Sequence, residues 1–95
     1  MRTFEDLAEE IGRLVTDKNR AYGNSFVTVS KVLEILFPDG IPVSKYQDVL
    51  LFARMWDKLS RIATDENAFG ESPYKDLCGY SLLGWSSSEA KKTGQ

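Results

Sequence analysis

The sequence predicts an all-α protein, a small bundle of three to four helices completed by homo-oligomerisation. Three observations carry that expectation. Apolar residues recur at three- and four-residue steps in successive segments, N-cap signatures open three of those segments, and turn-forming residues separate them. At 95 residues the chain has room for one domain with one modest core. That domain is assigned to residues 1–85, and 86–95 is read as a disordered tail.

The first helix opens at Thr3, which with Asp6 three residues on makes a capping box in which Asp stands for the usual Glu or Gln. Phe4, Leu7, Ala8, Ile11, Leu14 and Val15 then share one face, with Asp6, Glu9, Glu10, Arg13 and Asp17 mostly opposite. The helix is expected to stop near Ala21 or Tyr22, because Gly23 can take a positive φ. From Phe26 to Phe37, Val27 and Val29 alternate like a strand. The later Val32-Leu33-Ile35-Leu36 grouping, with Lys31 and Glu34 between, suits a helix better, so a second helix is assigned. "FPDGIP" (Phe37 to Pro42) is turn chemistry.

A third helix is expected to begin at a Ser44–Gln47 capping box and to run to about Ala63. Val49, Leu50, Phe52, Ala53, Trp56, Leu59 and Ile62 would give it the wide apolar surface of a central helix. A polar connection follows, from Ala63 to Ser72. Ser72 as N-cap and Pro73 at the first helical position open a fourth, short helix, with Gly84 as its stop. The tail "SSSEAKKTGQ" has no hydrophobe larger than alanine. Such a bundle has little interior for two Trp, five Phe and four Tyr, which is why self-association is expected.

Composition narrows the function. An apolar fraction of 42% fits a folded chain, and a net charge of -2 argues against broad, sequence-independent nucleic-acid binding. No apolar run approaches the length of a membrane span, and the N-terminus is acidic where a signal peptide would be basic and then apolar. The single Cys78 allows no internal disulfide, and a cytoplasmic location is expected. In its apolar context Cys78 reads as a core residue. Histidine is absent, which excludes Ser-His-Asp and Cys-His catalysis and leaves carboxylates, Lys, Tyr and Cys.

Two stretches could hold a phosphate. In "KNRAYGNSF" (Lys18 to Phe26), Lys18 and Arg20 offer charge, Asn19 and Asn24 offer neutral donors, Gly23 allows close backbone approach and Tyr22 could stack on a base. The same residues also describe a helix C-terminus with cations on its dipole and glycine as cap. On the third helix Arg54, Asp57, Lys58 and Arg61 lie at i, i+3, i+4 and i+7 and share a polar stripe opposite Trp56 and Leu59. The stripe is either an anion site with an embedded carboxylate or an ordinary solvated face, and residue chemistry alone favours the solvated face. Glu71 and Asp76 flank the fourth helix start. There they complement the dipole or help coordinate Mg²⁺. The nearest approach to the E-x-x-E pattern of pyrophosphohydrolases is Asp6-Leu7-Ala8-Glu9.

Together, "KNRAYGNSF", "RMWDKLSRI" (Arg54 to Ile62) and "ESPYKDLCGYSLL" (Glu71 to Leu83) resemble the three blocks of the nucleotide-modification-associated domain family of bacteriophages and prophages. Proteins of this kind are loosely called MazG-like, after the all-α nucleoside triphosphate pyrophosphohydrolases. The resemblance covers Lys18 to Leu83 and implies a nucleotide or nucleoside-phosphate role, without fixing a reaction. Its polar positions fall here on Lys18, Asn19, Tyr22, Gly23, Ser25, Arg54, Asp57, Lys58, Arg61, Glu71, Ser72, Asp76 and Tyr80. The last block is shorter than the family pattern, and Pro73-Tyr74-Lys75 replaces an expected acidic residue. That departure weakens a metal-dependent hydrolase more than it weakens phosphate binding.

The resulting expectation is a cleft between the end of the first helix and the stripe of the third. Lys18, Asn19, Arg54, Lys58 and Arg61 would hold phosphate, and Tyr22 or Tyr80 would stack on a base. Asp57, Glu71 and Asp76 would hold Mg²⁺ if catalysis occurs. The alternative function is a non-enzymatic phage protein that binds a host protein, such as an anti-CRISPR-like inhibitor of a defence system, or a nucleotide sponge.

Overall fold

Helix-forming segments separated by Gly- and Pro-rich turns give four helices in the computed structural model, which describes residues 1–67 and 70–93. They are α1 (Phe4–Ala21), α2 (Ser25–Leu36), α3 (Tyr46–Thr64) and α4 (Pro73–Lys92), with a 3-10 turn over Val43–Lys45 leading into α3. Among the described residues there is no strand, and no helix is long and apolar enough to cross a membrane.

The first helix starts as its capping box requires. The Asp6 amide donates to Thr3 Oγ1 (3.1 Å) and the Thr3 amide donates to the Asp6 carboxylate (2.9 Å), satisfying two otherwise orphaned N–H groups. It ends where glycine allows. Tyr22 caps the helix, donating its amide to the Lys18 carbonyl at 2.9 Å, and Gly23 and Asn24 follow in the left-handed region (φ 60° and 58°). This turn leads directly into α2. Gly23 is required twice over, because a Cβ there would also lie 2.5 Å from Thr64 Oγ1 on α3.

α3 is the central helix, as its pattern suggests: α2, α4 and the end of α1 all pack on it. Between α2 and α3, the Trp56 indole N–H donates to Thr28 Oγ1 (2.8 Å), and Phe52 stacks on Trp56 with ring centroids 6.1 Å apart. Ser72 caps α4 through the Lys75 amide, with Pro73 at the first position, as expected.

Four expectations need correction. The Ser44–Gln47 box does not form: the chain leaves Pro42 in a 3-10 turn, and α3 begins at Tyr46 with no side-chain cap. α4 does not stop at Gly84, and the segment from residue 86 is helical as far as Lys92. Gly84 serves packing there, since its missing Cβ leaves room for Leu51 Cδ2, 3.0 Å from where that Cβ would be. Ser87 then donates to Gln47 (3.0 Å), and Lys91 and Lys92 sit in the last turn, where cations complement the dipole. Cys78 is exposed, because α4 turns Asp76, Leu77, Tyr80, Gly84 and Ser87 inward and Cys78 away.

The fourth correction concerns the stripe on α3. Its residues do not share a solvated face: Arg61 is fully buried, Asp57 and Lys58 are half-buried and Arg54 is exposed, while Leu50 and Leu59 of the expected apolar surface are exposed too. The described residues that are buried are Ala21, Ser25, Arg61 and Pro73. Two of the four, Ser25 and Arg61, are polar. The chain's radius of gyration, 16.8 Å, exceeds the roughly 12 Å of a compact domain of this length.

Candidate functional site

The α1–α2 turn sits on the C-terminal half of α3, and this brings the first two motif blocks together. Gly23 fits against Ser60 and Thr64 only because it lacks a side chain. Tyr22, just before it, then lies against α3. Lys58 Nζ stands 5.7 Å from the Tyr22 ring centroid and Arg61 Cζ 5.9 Å from it. Both are within the range at which a cation is attracted to an aromatic face.

Immediately after the turn, buried Ser25 donates its hydroxyl to Asp57 Oδ1 at 2.6 Å. A hydroxyl-to-carboxylate bond this short is of the charge-assisted class. It ties the first turn of α2 to the middle of α3. Ser25 is a polar position of the first motif block, outside the set expected to bind the ligand. The signal that marks it is its position directly after two residues suited to left-handed backbone, where a small polar side chain is forced inward.

The third block joins through ion pairs. Lys58 Nζ lies 3.4 Å from Asp76 Oδ2 on α4, and its side chain is 13% exposed. Arg61 reaches the other way. Its Nη2 donates to the backbone carbonyls of Glu66 (2.9 Å) and Glu71 (2.6 Å), and Nη1 lies 3.7 Å from the Glu71 carboxylate. A planar guanidinium with several donors in a fixed fork suits this task, and an ammonium would not span it. Arg61 thus fastens both ends of the connection between α3 and α4 while facing Tyr22.

The sequence-predicted ligands divide accordingly. Tyr22, Lys58 and Arg61 come together, with Asp57 and Asp76 bonded into the same network and Glu71 at its edge. Lys18 is exposed, one turn before Tyr22 and on the same face of α1. Tyr80 is half-buried, one turn after Asp76 on the same face of α4. Asn19 is exposed, and its carbonyl accepts the Asn24 amide (3.0 Å), so its backbone shapes the turn. Arg54 stands apart. It is exposed and lines a groove of about 450 Å³ between α3 and α4 with Gln47, Leu50, Leu51, Leu83 and Ser87.

The three carboxylates considered for Mg²⁺ each have a different partner: Ser25 for Asp57, Lys58 for Asp76 and Arg61 for Glu71. Among the described residues no three acidic or cysteine side chains group as a metal site. The arrangement does not fit an all-protein metal cage. No family model, curated protein or solved structure matches the chain.

Proposed function

We propose that the chain binds a nucleotide or another nucleoside phosphate where the α1–α2 turn meets α3. One observation carries this reading: Lys58 and Arg61 of α3 both face the ring of Tyr22, which arrives from a different helix. Convergence of this kind costs desolvation of two cations, and a solvated helix face has no need of it. Within the site the roles differ. Lys58, its side chain 13% exposed, would with Lys18 on the adjacent face of α1 meet the phosphate as a point charge. Arg61, enclosed and bonded to two loop carbonyls, positions Tyr22 and the loop. Tyr80 and Tyr22 would border the base. Mg²⁺ would arrive with the phosphates, since it keeps several waters and needs only one or two protein carboxylates. Asp76, its side chain 39% exposed, is the carboxylate beside Lys58.

A thermal-shift series with nucleoside mono-, di- and triphosphates and cyclic nucleotides, with and without Mg²⁺, tests the reading. A ligand at a thousand-fold excess over its Kd should stabilise the fold by roughly 4 kcal/mol, and Lys58→Met should remove the shift. Pyrophosphate release then separates a hydrolase from a binder. No shift with any nucleotide would contradict the reading.

A second reading has an observation of its own. Phe26 (86% exposed), Tyr74 and Trp85 project into solvent, and aromatic side chains of this kind anchor protein interfaces. They would suit a phage-encoded chain that captures a host protein, and the absence of any nucleotide shift would favour that function.

A further inference from the structure

Helix α1 meets the rest of the chain through its C-terminal end, at α3, and residues 4–20 are all exposed. Phe4, Leu7, Ile11 and Leu14 nevertheless follow one another at steps of three, four and three, the spacing of a coiled-coil seam, and Val15 widens it. Phe4 is 88% exposed and Ile11 56%. Such a seam is shaped to receive another helix, and among the described residues no helix lies on it.

We propose that this face of α1 packs on a helix of a second copy of the chain. The argument from area is quantitative. A folded monomer of 10.7 kDa is expected to expose about 5,500 Å², whereas this chain exposes 7393 Å². The excess, about 1,900 Å² per chain, amounts to about 3,800 Å² for a pair. That is the range of obligate homodimers, well above that of transient encounters. Charge also permits the contact. Glu10 and Asp17, which flank the seam on one side, are already paired within the chain to Arg2 and Arg20, so two seams can approach without facing bare carboxylates. The proposal is independent of the nucleotide reading. It does have a consequence for the site, because the helix it immobilises is the one that ends in Lys18 and Tyr22.

Sedimentation of the purified chain gives the first test: a mass of at least twice 10.7 kDa is expected across the micromolar range. A monomer at all concentrations would overturn the proposal. Ile11→Glu with Leu14→Glu should reduce the mass to that of one chain. If this variant fails to fold, a photo-crosslinking residue decides the matter in an otherwise unaltered protein. Placed at Ile11, it should form adducts with a second copy, whereas at Arg13, on the opposite face, it should not. Equal adducts from both positions, or none from Ile11, would overturn it too.

Discussion

Helix α1 and the junction on α3 distribute polarity in opposite senses. On α1 the apolar residues face outward and the surface is held by water-exposed ion pairs, Arg13 with Glu9 and Arg20 with Asp17. At the junction two polar side chains are buried. Ser25 is bonded to Asp57, and Arg61 lies beneath Tyr22, bonded to loop carbonyls. The difference separates two jobs. Buried polar groups demand particular partners at particular angles, so the junction specifies how the turn, α3 and the start of α4 meet. Apolar faces demand only coverage, and on α1 that coverage is left to association. A chain of this size cannot do both with one hydrophobic core.

Substitutions on the two sides should therefore differ in cost. The largest effect is expected for Arg61→Met, which leaves the carbonyls of Glu66 and Glu71 without their donor. At roughly 1–3 kcal/mol for each, the loss should be about 4 kcal/mol in denaturant unfolding at fixed protein concentration. A loss below about 1 kcal/mol would mean that the buried guanidinium organises nothing. Next comes Ser25→Ala, which removes the hydroxyl from a half-buried carboxylate and should cost about 2 kcal/mol, read from the shift in denaturation midpoint. Gly23→Ala forces a left-handed residue against Thr64 and should cost about 1–3 kcal/mol, with Gly23→Asn costing more than backbone strain alone, because the clash with Thr64 persists. The smallest effect is expected on α1. Arg13→Ala breaks an exposed pair and should change stability by about 0.5 kcal/mol or less, an effect that salt should erase. A larger effect there would place structural weight on the polar surface of α1 and undo the contrast.

The legible parts of the fold were those fixed by local chemistry. Thr3 with Asp6, Gly23, and Ser72 with Pro73 each act on the backbone within a few residues, and each does what its sequence context dictates. The helix boundaries that depended on tertiary packing were not legible. Gly84 looks like a stop because nothing local reveals that Leu51 occupies the space a side chain would need. Ser44 looks like a cap because the path of the chain out of Pro42 depends on how α3 docks.

The site was legible as residues and not as geometry. The motif blocks pick out Tyr22, Asp57, Lys58, Arg61 and Asp76, but periodicity cannot say which of two mixed faces turns inward. On α3 both contribute: Asp57, Lys58 and Arg61 turn inward together with Val49, Phe52, Trp56 and Ile62, while Leu50, Arg54 and Leu59 are left outside. Arg54, on the same stripe in sequence, serves a different groove, because seven residues of helix carry it about 10 Å from Arg61.

Hydrogen exchange measured element by element tests the contrast most directly. In the wild-type protein, amides of α1 up to residue 17 and amides of α3 from 54 to 64 should both be protected. In the variant with Ile11→Glu and Leu14→Glu, protection should vanish from α1 while α3 and the first turns of α4 keep theirs. Equal persistence of protection along α1 in the dissociated chain would contradict the account, since it would make α1 a self-sufficient part of the monomer.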